Sequence, residues 1–255
     1  MIALLFLAAA DLARLTDTKL TVAQRNDACY ELRGNREPEV VAAMRDGLTD
    51  EVIRSCAARN LIEIRAGEAL LAMANHESPD VRAVAVDSLA RLTDDRYLPV
   101  FEKAARDANM AVNVAAMQGF ALLSTPATLE SLLRLGAGSD PVGLMALEQT
   151  IRFHDRRTLK RGRALIGSSE IPAQLAAIRI LAELGEPEDT AALAPLAASV
   201  EQLTAGGRGF GFMPAISLGR AARVAISRIE TRAKENYKSD KTTRLSGLSP
   251  ASSRK

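Results

Sequence analysis

The 255-residue chain contains no tryptophan, and only 4% of its residues are aromatic. Its two cysteines are too few for a disulfide scaffold or, on their own, for a zinc site. The 33 basic and 31 acidic residues nearly balance, and a net charge of +2 is too small to indicate that the chain as a whole binds nucleic acid or membrane surfaces. No apolar run reaches the ~20 residues of a membrane-spanning helix, which argues against an integral membrane protein. The sequence also lacks a P-loop, a nucleophile elbow and a dinucleotide fingerprint.

The N-terminal segment, residues 1–20, begins with ten apolar residues, and two interpretations of them stay open. The length of this run is that of a signal-peptide core, and three alanines before Asp11 suit a cleavage site. No basic residue precedes the run, however, and Leu12 and Leu15 continue it with the spacing of a first helix of the fold. The missing polar face favours a signal peptide. We therefore predict an exported or periplasmic protein, with a cytoplasmic one as the alternative.

Residues 233–255 form a polar C-terminal segment with six basic and two acidic residues, a net charge of +4. A segment this polar buries too little apolar surface to offset its chain entropy. The sequence therefore predicts a disordered, solvated basic tail, and a weak electrostatic tether to an anionic surface is the alternative.

A stripe of apolar or small residues recurs between these two ends. In its clearest copy, Val81, Ala85, Leu89 and Leu92 have the spacing of one face of an α-helix. The interval between copies stays between 28 and 31 residues, with starts at residues 24, 53, 81, 112, 142 and 173. A further copy begins at Leu218 after a longer interval. Each stripe is followed by a turn rich in Ser, Thr, Asp or Pro and by a second, shorter apolar stripe.

The repeated unit is a helix–turn–helix that needs its neighbours to complete a core. Its second stripe position holds a small residue that lets adjacent first helices approach closely, namely Ala28, Ala57, Ala85, Ala116, Ala146 and Ala177. No stretch shows the period-2 alternation of a strand. The sequence therefore predicts an all-α fold over residues 21–232, an α-solenoid of about six to seven stacked helical hairpins of about 30 residues each.

Residues 78–94 resemble the unit of HEAT-repeat proteins, in the short form named after phycobilisome lyases. The shared pattern is Ser-Pro-Asp-Val-Arg followed by Ala85, Leu89, Leu92 and Asp94. The unit's arginine, Arg82, has counterparts in two earlier copies, whereas three later copies replace it; these positions are Arg25, Arg54, Asn113, Gly143 and Gln174. Any arginine ladder between units is therefore expected to fade towards the C-terminus.

The same repeat class includes deoxyhypusine hydroxylase, which holds two irons with four His-Glu pairs. Here His76-Glu77 is the only such pair, and one pair cannot supply a di-iron site. We therefore expect no metal and no cofactor. His154, beside a basic run, is expected to be a surface residue.

Cys29 and Cys56 lie in the first helices of adjacent units. Two small buried thiols are the favoured interpretation. A disulfide becomes more plausible if the chain is exported.

Two groups of residues are candidates for binding. Six basic residues within twelve positions are suited to phosphate, anionic lipid or an acidic protein groove, namely Arg152, Arg156, Arg157, Lys160, Arg161 and Arg163. They have no interleaved aromatic residues, so specific nucleic-acid binding is not expected. The alternative to a binding role is that these six residues form a solvated face whose charges are paired with neighbouring acidic residues. The other group is the Gly-rich insertion at 204–214, whose Arg208, Phe210 and Phe212 either grip a partner or cap the stack.

Repeat arrays present an extended surface without a deep polar pocket, which suits recognition better than chemistry. The sequence therefore predicts a non-enzymatic scaffold that holds a protein partner on a curved face lined by second helices. The resemblance implies one alternative, a lyase-type enzyme subunit that handles a bilin-like chromophore, although no residue stands out as its base or nucleophile. An envelope-associated structural adaptor that uses the N-terminal segment and the basic tail is a third hypothesis.

Overall fold

The computed structural model describes residues 2–199, 202–203 and 216–246, and within them it is almost entirely α-helical. The chain divides into two compact units, Met1–Ser131 and Leu132–Lys255. The helices of the N-terminal unit are α1 (Ile2–Thr16), α2 (Val22–Glu31), α3 (Pro38–Gly47), α4 (Arg54–Glu63), α5 (Gly67–Met73), α6 (Pro79–Arg91), α7 (Leu98–Ala104) and α8 (Met110–Leu122).

Helix α9 (Pro126–Leu135) crosses the boundary between the two units. The helices of the C-terminal unit are α10 (Pro141–Gln149), α11 (Arg156–Leu165), α12 (Ile171–Leu184), α13 (Thr190–Ala197) and α14 (Leu218–Ser246). Short 3₁₀ turns occupy Asp95–Tyr97, Thr150–Phe153 and Pro187–Asp189.

Helices α2 to α13 form successive hairpins, each made of a first and a second helix, and α14 is a further first helix. The first helices α2, α4, α6, α8, α10, α12 and α14 begin within two residues of the starts predicted from the stripes. Within each unit first helices pack against first helices, as α6 does against α4 and α8, and α12 against α10 and α14. The predicted all-α fold of stacked helical hairpins is therefore confirmed.

The small residue of each stripe lies in the buried core. All six are 0% exposed: Ala28, Ala57, Ala85, Ala116, Ala146 and Ala177. The larger members of the stripes, such as Leu61, Leu89 and Phe120, are also 0% exposed. Burying each of these larger side chains contributes roughly 1.5–3 kcal/mol, so stability is distributed along the helices of each unit.

Several helix starts are fixed by side chains that accept backbone N–H groups. Thr21 and Gln24 form a capping box at α2, and Asp140 accepts the amides of Val142 and Gly143 at α10. Such caps satisfy N–H groups that have no partner within the helix.

The turn between the first and second helix of a hairpin repeatedly contains one left-handed residue. These residues are Gly34 (φ 73°), Arg65 (φ 56°), Thr93 (φ 49°) and His154 (φ 51°). A left-handed residue other than glycine costs roughly 1–2 kcal/mol. The turn geometry is therefore shared by these repeats even where the residue type does not favour it.

The structure corrects two expectations about the C-terminal part of the chain. Helix α14 continues through the expected start of the disordered tail at residue 233 as far as Ser246. It is anchored where the tail was expected to begin, because Arg232 donates to the carbonyls of Ala182 (2.9 Å) and Gly185 (2.7 Å). Although no strand was expected, Gln202–Leu203 (β1) and Ile216–Ser217 (β2) pair antiparallel in a two-residue ladder at the two ends of the insertion.

Candidate protein-binding surface

Two arginine–aspartate pairs fix successive repeats of the N-terminal unit in the same way. Arg25 bonds Asp50, and Arg82 donates to both carboxylate oxygens of Asp107 at 2.8 Å. In each pair the aspartate lies 25 residues after the arginine. Each aspartate also accepts the amide two residues further along at 2.9 Å. The repeated geometry sets the position of one first helix relative to the next.

The ladder is interrupted at Arg54, between the two pairs, and it does not continue into α8. Arg54 donates to the carbonyls of Leu48 and Thr49 and bonds no carboxylate. Asn113 takes the arginine position in α8 and reaches only backbone carbonyls, including that of Asp107 at 2.8 Å. In the C-terminal unit the comparable link comes from a second helix, where Arg163 of α11 bonds Asp189 and Glu186.

The Arg82–Asp107 pair makes stability depend on pH. The hydrogen bond from Arg82 holds the pKa of Asp107 below its ordinary value. As the pH falls, Asp107 therefore binds a proton in the unfolded chain before it does so in the folded protein. The stabilisation is complete above the pKa of Asp107 in the unfolded chain, about 4, and is lost as the pH falls below that value. We expect urea unfolding to show Asp107→Asn less stable than the wild type at pH 7, with the gap closing towards pH 2.

The control for this experiment is Asp27→Asn, because Asp27 is exposed and has no side-chain partner among the described residues. The free energy of unfolding of Asp27→Asn should differ little from that of the wild type at pH 7. A gap for Asp107→Asn that does not narrow as the pH falls would show that the ion pair contributes nothing.

An open groove of about 560 Å³ lies on the outward faces of α4, α6 and α8. We call it the α4–α6–α8 groove. Small and aliphatic side chains form its floor, among them Ala58, Ile62, Val84, Val114 and Ala115. The groove lies on first helices, where small residues at the outward positions leave space between adjacent helices. Binding on the face lined by second helices, expected from the sequence, stays a prediction.

Helix α8 contributes a wall without charge. None of its 13 residues is charged, although its outward face is open to solvent. Met110, Val114 and Leu122 are 68%, 43% and 54% exposed, and they are four and eight positions apart along that face. Gln118, between Val114 and Leu122 on that face, is exposed, polar and uncharged. A surface helix normally presents charged residues to water, so this uncharged and mostly apolar face is typical of an interaction surface.

The opposite rim carries an arginine stacked on a tyrosine. The guanidinium of Arg59 lies 5.9 Å from the ring centroid of Tyr30, and its Nη1 donates to the Tyr30 hydroxyl at 3.1 Å. Tyr30 is 49% exposed. Tyrosine and arginine are enriched among the residues that contribute most to binding energy at protein interfaces.

The basic cluster predicted from the sequence is mostly engaged with its own surroundings. Arg157 bonds Asp155, Arg163 bonds Asp189 and Glu186, and Arg161 donates to the carbonyl of Ala137; the Arg152 guanidinium lies 4.8 Å from the ring of Phe153. Burial lowers the pKa of Arg152. Arg156 and Lys160 are exposed and have no side-chain partner among the described residues. Contact of this cluster with an anionic surface stays a prediction, as does the tether role of the tail.

Cys29 and Cys56 form a disulfide between α2 and α4, with a Cα–Cα distance of 6.4 Å. The favoured interpretation as free thiols is therefore wrong, and the alternative holds. The Asn60 amide donates to the carbonyl of Cys29 at 3.0 Å beside the bridge. The sequence could not decide between the two states because the spacing of the cysteines places them on adjacent helices in either case.

The histidines do not converge with other ligands. His76 accepts the amide of Ser78 at Nδ1, and His154 occupies an exposed turn position. Within the described ranges, no group of three or more His, Cys, Asp or Glu side chains is placed to hold a metal ion. Over the same residues, none of the helices combines the length and the apolar character needed to cross a membrane. Arg208, Phe210 and Phe212 lie outside the described residues.

Comparison with known proteins identifies the repeat. Residues 67–152, from α5 into the 3₁₀ turn after α10, match the family model for HEAT repeats. No curated protein matches the sequence. Among solved structures, human deoxyhypusine hydroxylase in complex with glycerol is similar at 14% identity, 88% coverage of this chain and 96% of that chain, and a TM-score of 0.40.

The complex of CpcE and CpcF of phycocyanin lyase from Nostoc is similar at 14% identity and a TM-score of 0.39, and the match covers 87% of this chain and 94% of that chain. A designed armadillo repeat protein is similar at 14% identity and a TM-score of 0.38, and the match covers 86% of this chain and 98% of that chain. Similarities this distant do not indicate a shared function. Residues 67–152 therefore match HEAT repeats, and the described helices form stacked helical hairpins.

Proposed function

We propose that the protein is a non-enzymatic scaffold that binds a protein partner in the α4–α6–α8 groove. The observation that carries the proposal is the uncharged, exposed face of α8 along one side of the groove. Covering Met110, Val114 and Leu122 removes apolar surface from water, at roughly 25 cal/mol for each Å². The Arg59–Tyr30 pair at the opposite rim supplies polar contacts that give the partner an orientation.

The test is capture of the partner from the native extract by tagged protein, with identification of what is bound. Val114→Glu places a charge in the apolar wall, and burying an unpaired charge at an interface is strongly unfavourable. We expect this variant to lose at least about 100-fold in affinity for the partner that the wild type captures. Since Val114 is 43% exposed in the free protein, the fold should be unaffected.

Val22→Glu is the matched control, because Val22 is 59% exposed and lies outside the groove. It makes the same chemical change and should retain the partner. Equal capture of the partner by the Val114→Glu variant and the wild type would contradict binding in the α4–α6–α8 groove.

We further infer that the protein is exported, which is favoured by the disulfide between Cys29 and Cys56. Disulfides persist in oxidising compartments such as the bacterial periplasm and are rare in the cytosol. Cleavage before Asp11 would preserve the last turn of α1, including the Asp11–Arg14 ion pair (3.0 Å) and the fully buried Leu15. Mass spectrometry of the native protein should find Asp11 at the N-terminus, and an intact Met1 would contradict export. The lyase-type alternative stays a prediction.

A further inference from the structure

A second groove of about 570 Å³ lies in the C-terminal unit, between α12 and α14. We call it the α12–α14 groove. Its floor is apolar, formed by side chains that include Ile178, Ala182, Ala221, Val224 and Ala225. Ile178 and Ala225 belong to the hydrophobic core, whereas Val224 is 48% exposed. The groove is therefore an apolar surface that extends from the core to solvent.

The rim of this groove is predominantly basic. Arg179, Arg220 and Arg228 line it together with one acid, Glu183. Arg228 bonds Glu183, and Arg179 bonds Glu148 outside the groove at 2.7 Å. The guanidinium of Arg220 has no partner among the described residues. A guanidinium has five N–H donors, so the two paired arginines also keep donors for another carboxylate.

The order of residues along α14 gives the groove a pattern. Arg220, Val224 and Arg228 follow at intervals of four, so a cation, an exposed apolar side chain and a second cation lie on one helix face over about 12 Å. A complementary ligand has an apolar side chain flanked by two carboxylates at the same spacing. An α-helix with acidic residues four positions before and after a leucine meets this requirement.

We propose that the α12–α14 groove binds an acidic amphipathic helix of a partner protein. The apolar side of that helix covers Val224 and the alanine floor, and its carboxylates pair with Arg220 and Arg228. Charge complementarity selects the partner, because a basic helix would meet like charges at both rims. This surface is separate from the α4–α6–α8 groove and does not depend on the function proposed for it.

The test uses a labelled synthetic amphipathic helix of about 18 residues, in which one leucine has a glutamate four positions before and four positions after it. Fluorescence anisotropy with the full chain should show saturable binding that weakens as salt is raised. Arg220→Glu should weaken binding by about tenfold or more, since it replaces the unpaired cation by a like charge. A peptide with lysines in place of the two glutamates should not bind.

Lys234→Glu is the matched control, because it makes the same charge change on α14 outside the groove. It should leave peptide affinity unchanged. Equal binding of the acidic and basic peptides, or an effect of Lys234→Glu as large as that of Arg220→Glu, would overturn the proposal.

Discussion

Replacing both Cys29 and Cys56 by alanine is expected to lower the free energy of unfolding of the N-terminal unit by about 3.5 kcal/mol. The bridge spans 27 residues and encloses the whole of α3, so its loss restores considerable freedom to the unfolded chain. The affected helices lie at the start of the repeat array, where a hairpin has fewer neighbours to complete its core. Because Cys29 is 0% and Cys56 only 6% exposed, alanine at these positions also leaves a small cavity.

Native-state hydrogen exchange is the measurement that resolves this effect by region. Without the bridge, amides of α2 and α3 should exchange through a local opening of lower free energy, while those of α6 and α8 change less. The wild type treated with reductant should approach the double alanine variant. The double variant itself should not respond to reductant, which separates loss of the bridge from other effects. Equal exchange in the oxidised and reduced wild type would contradict the expected stabilisation.

Phe120→Ala is expected to cost 3–5 kcal/mol, a range typical of a large buried aromatic side chain. Phe120 is 0% exposed and packs edge-to-face against Phe101, with ring centroids 5.8 Å apart and an interplanar angle of 72°. Gly119, next to Phe120 in the chain, leaves room for the Phe101 ring, because a Cβ at position 119 would lie 2.9 Å from that ring. The surroundings of Phe120 are therefore closely packed, and the cavity left by the substitution cannot collapse fully.

Urea unfolding of Phe120→Ala and Leu122→Ala makes the comparison, since Leu122 is in the same helix and 54% exposed. Leu122→Ala should change stability by less than about 0.5 kcal/mol. The double variant Phe101→Ala/Phe120→Ala should lose less than the sum of the single losses, because the two rings share one cavity. A loss for Phe120→Ala no larger than that for Leu122→Ala would show that the ring pair does not hold these hairpins together.

The repeat register follows from the sequence because helical spacing and burial are both local in this fold. Ala85 and its counterparts recur at one stripe position, and in the structure all of them are fully buried. The end of the arginine ladder after Arg82 also follows from the sequence, since Asn113 is too short to reproduce the contact of Arg82 with Asp107. The interruption of the ladder at Arg54 does not follow from the sequence, because the arginine is present there. Turn geometry was not predictable: Arg65 and Thr93 are left-handed, although neither residue type favours that conformation.

Spacing in the sequence alone determined that this chain folds as stacked helical hairpins, with a small buried residue at one position of each stripe. The tertiary structure decided the state of Cys29 and Cys56, the partners of the basic cluster and the position of both grooves. The physical reason is that the stripe in each repeat shows which face of its helix is buried, and this depends only on the local sequence of that repeat. Whether two exposed faces enclose a groove, or whether two cysteines come within bonding distance, depends on how separate helices are placed in space.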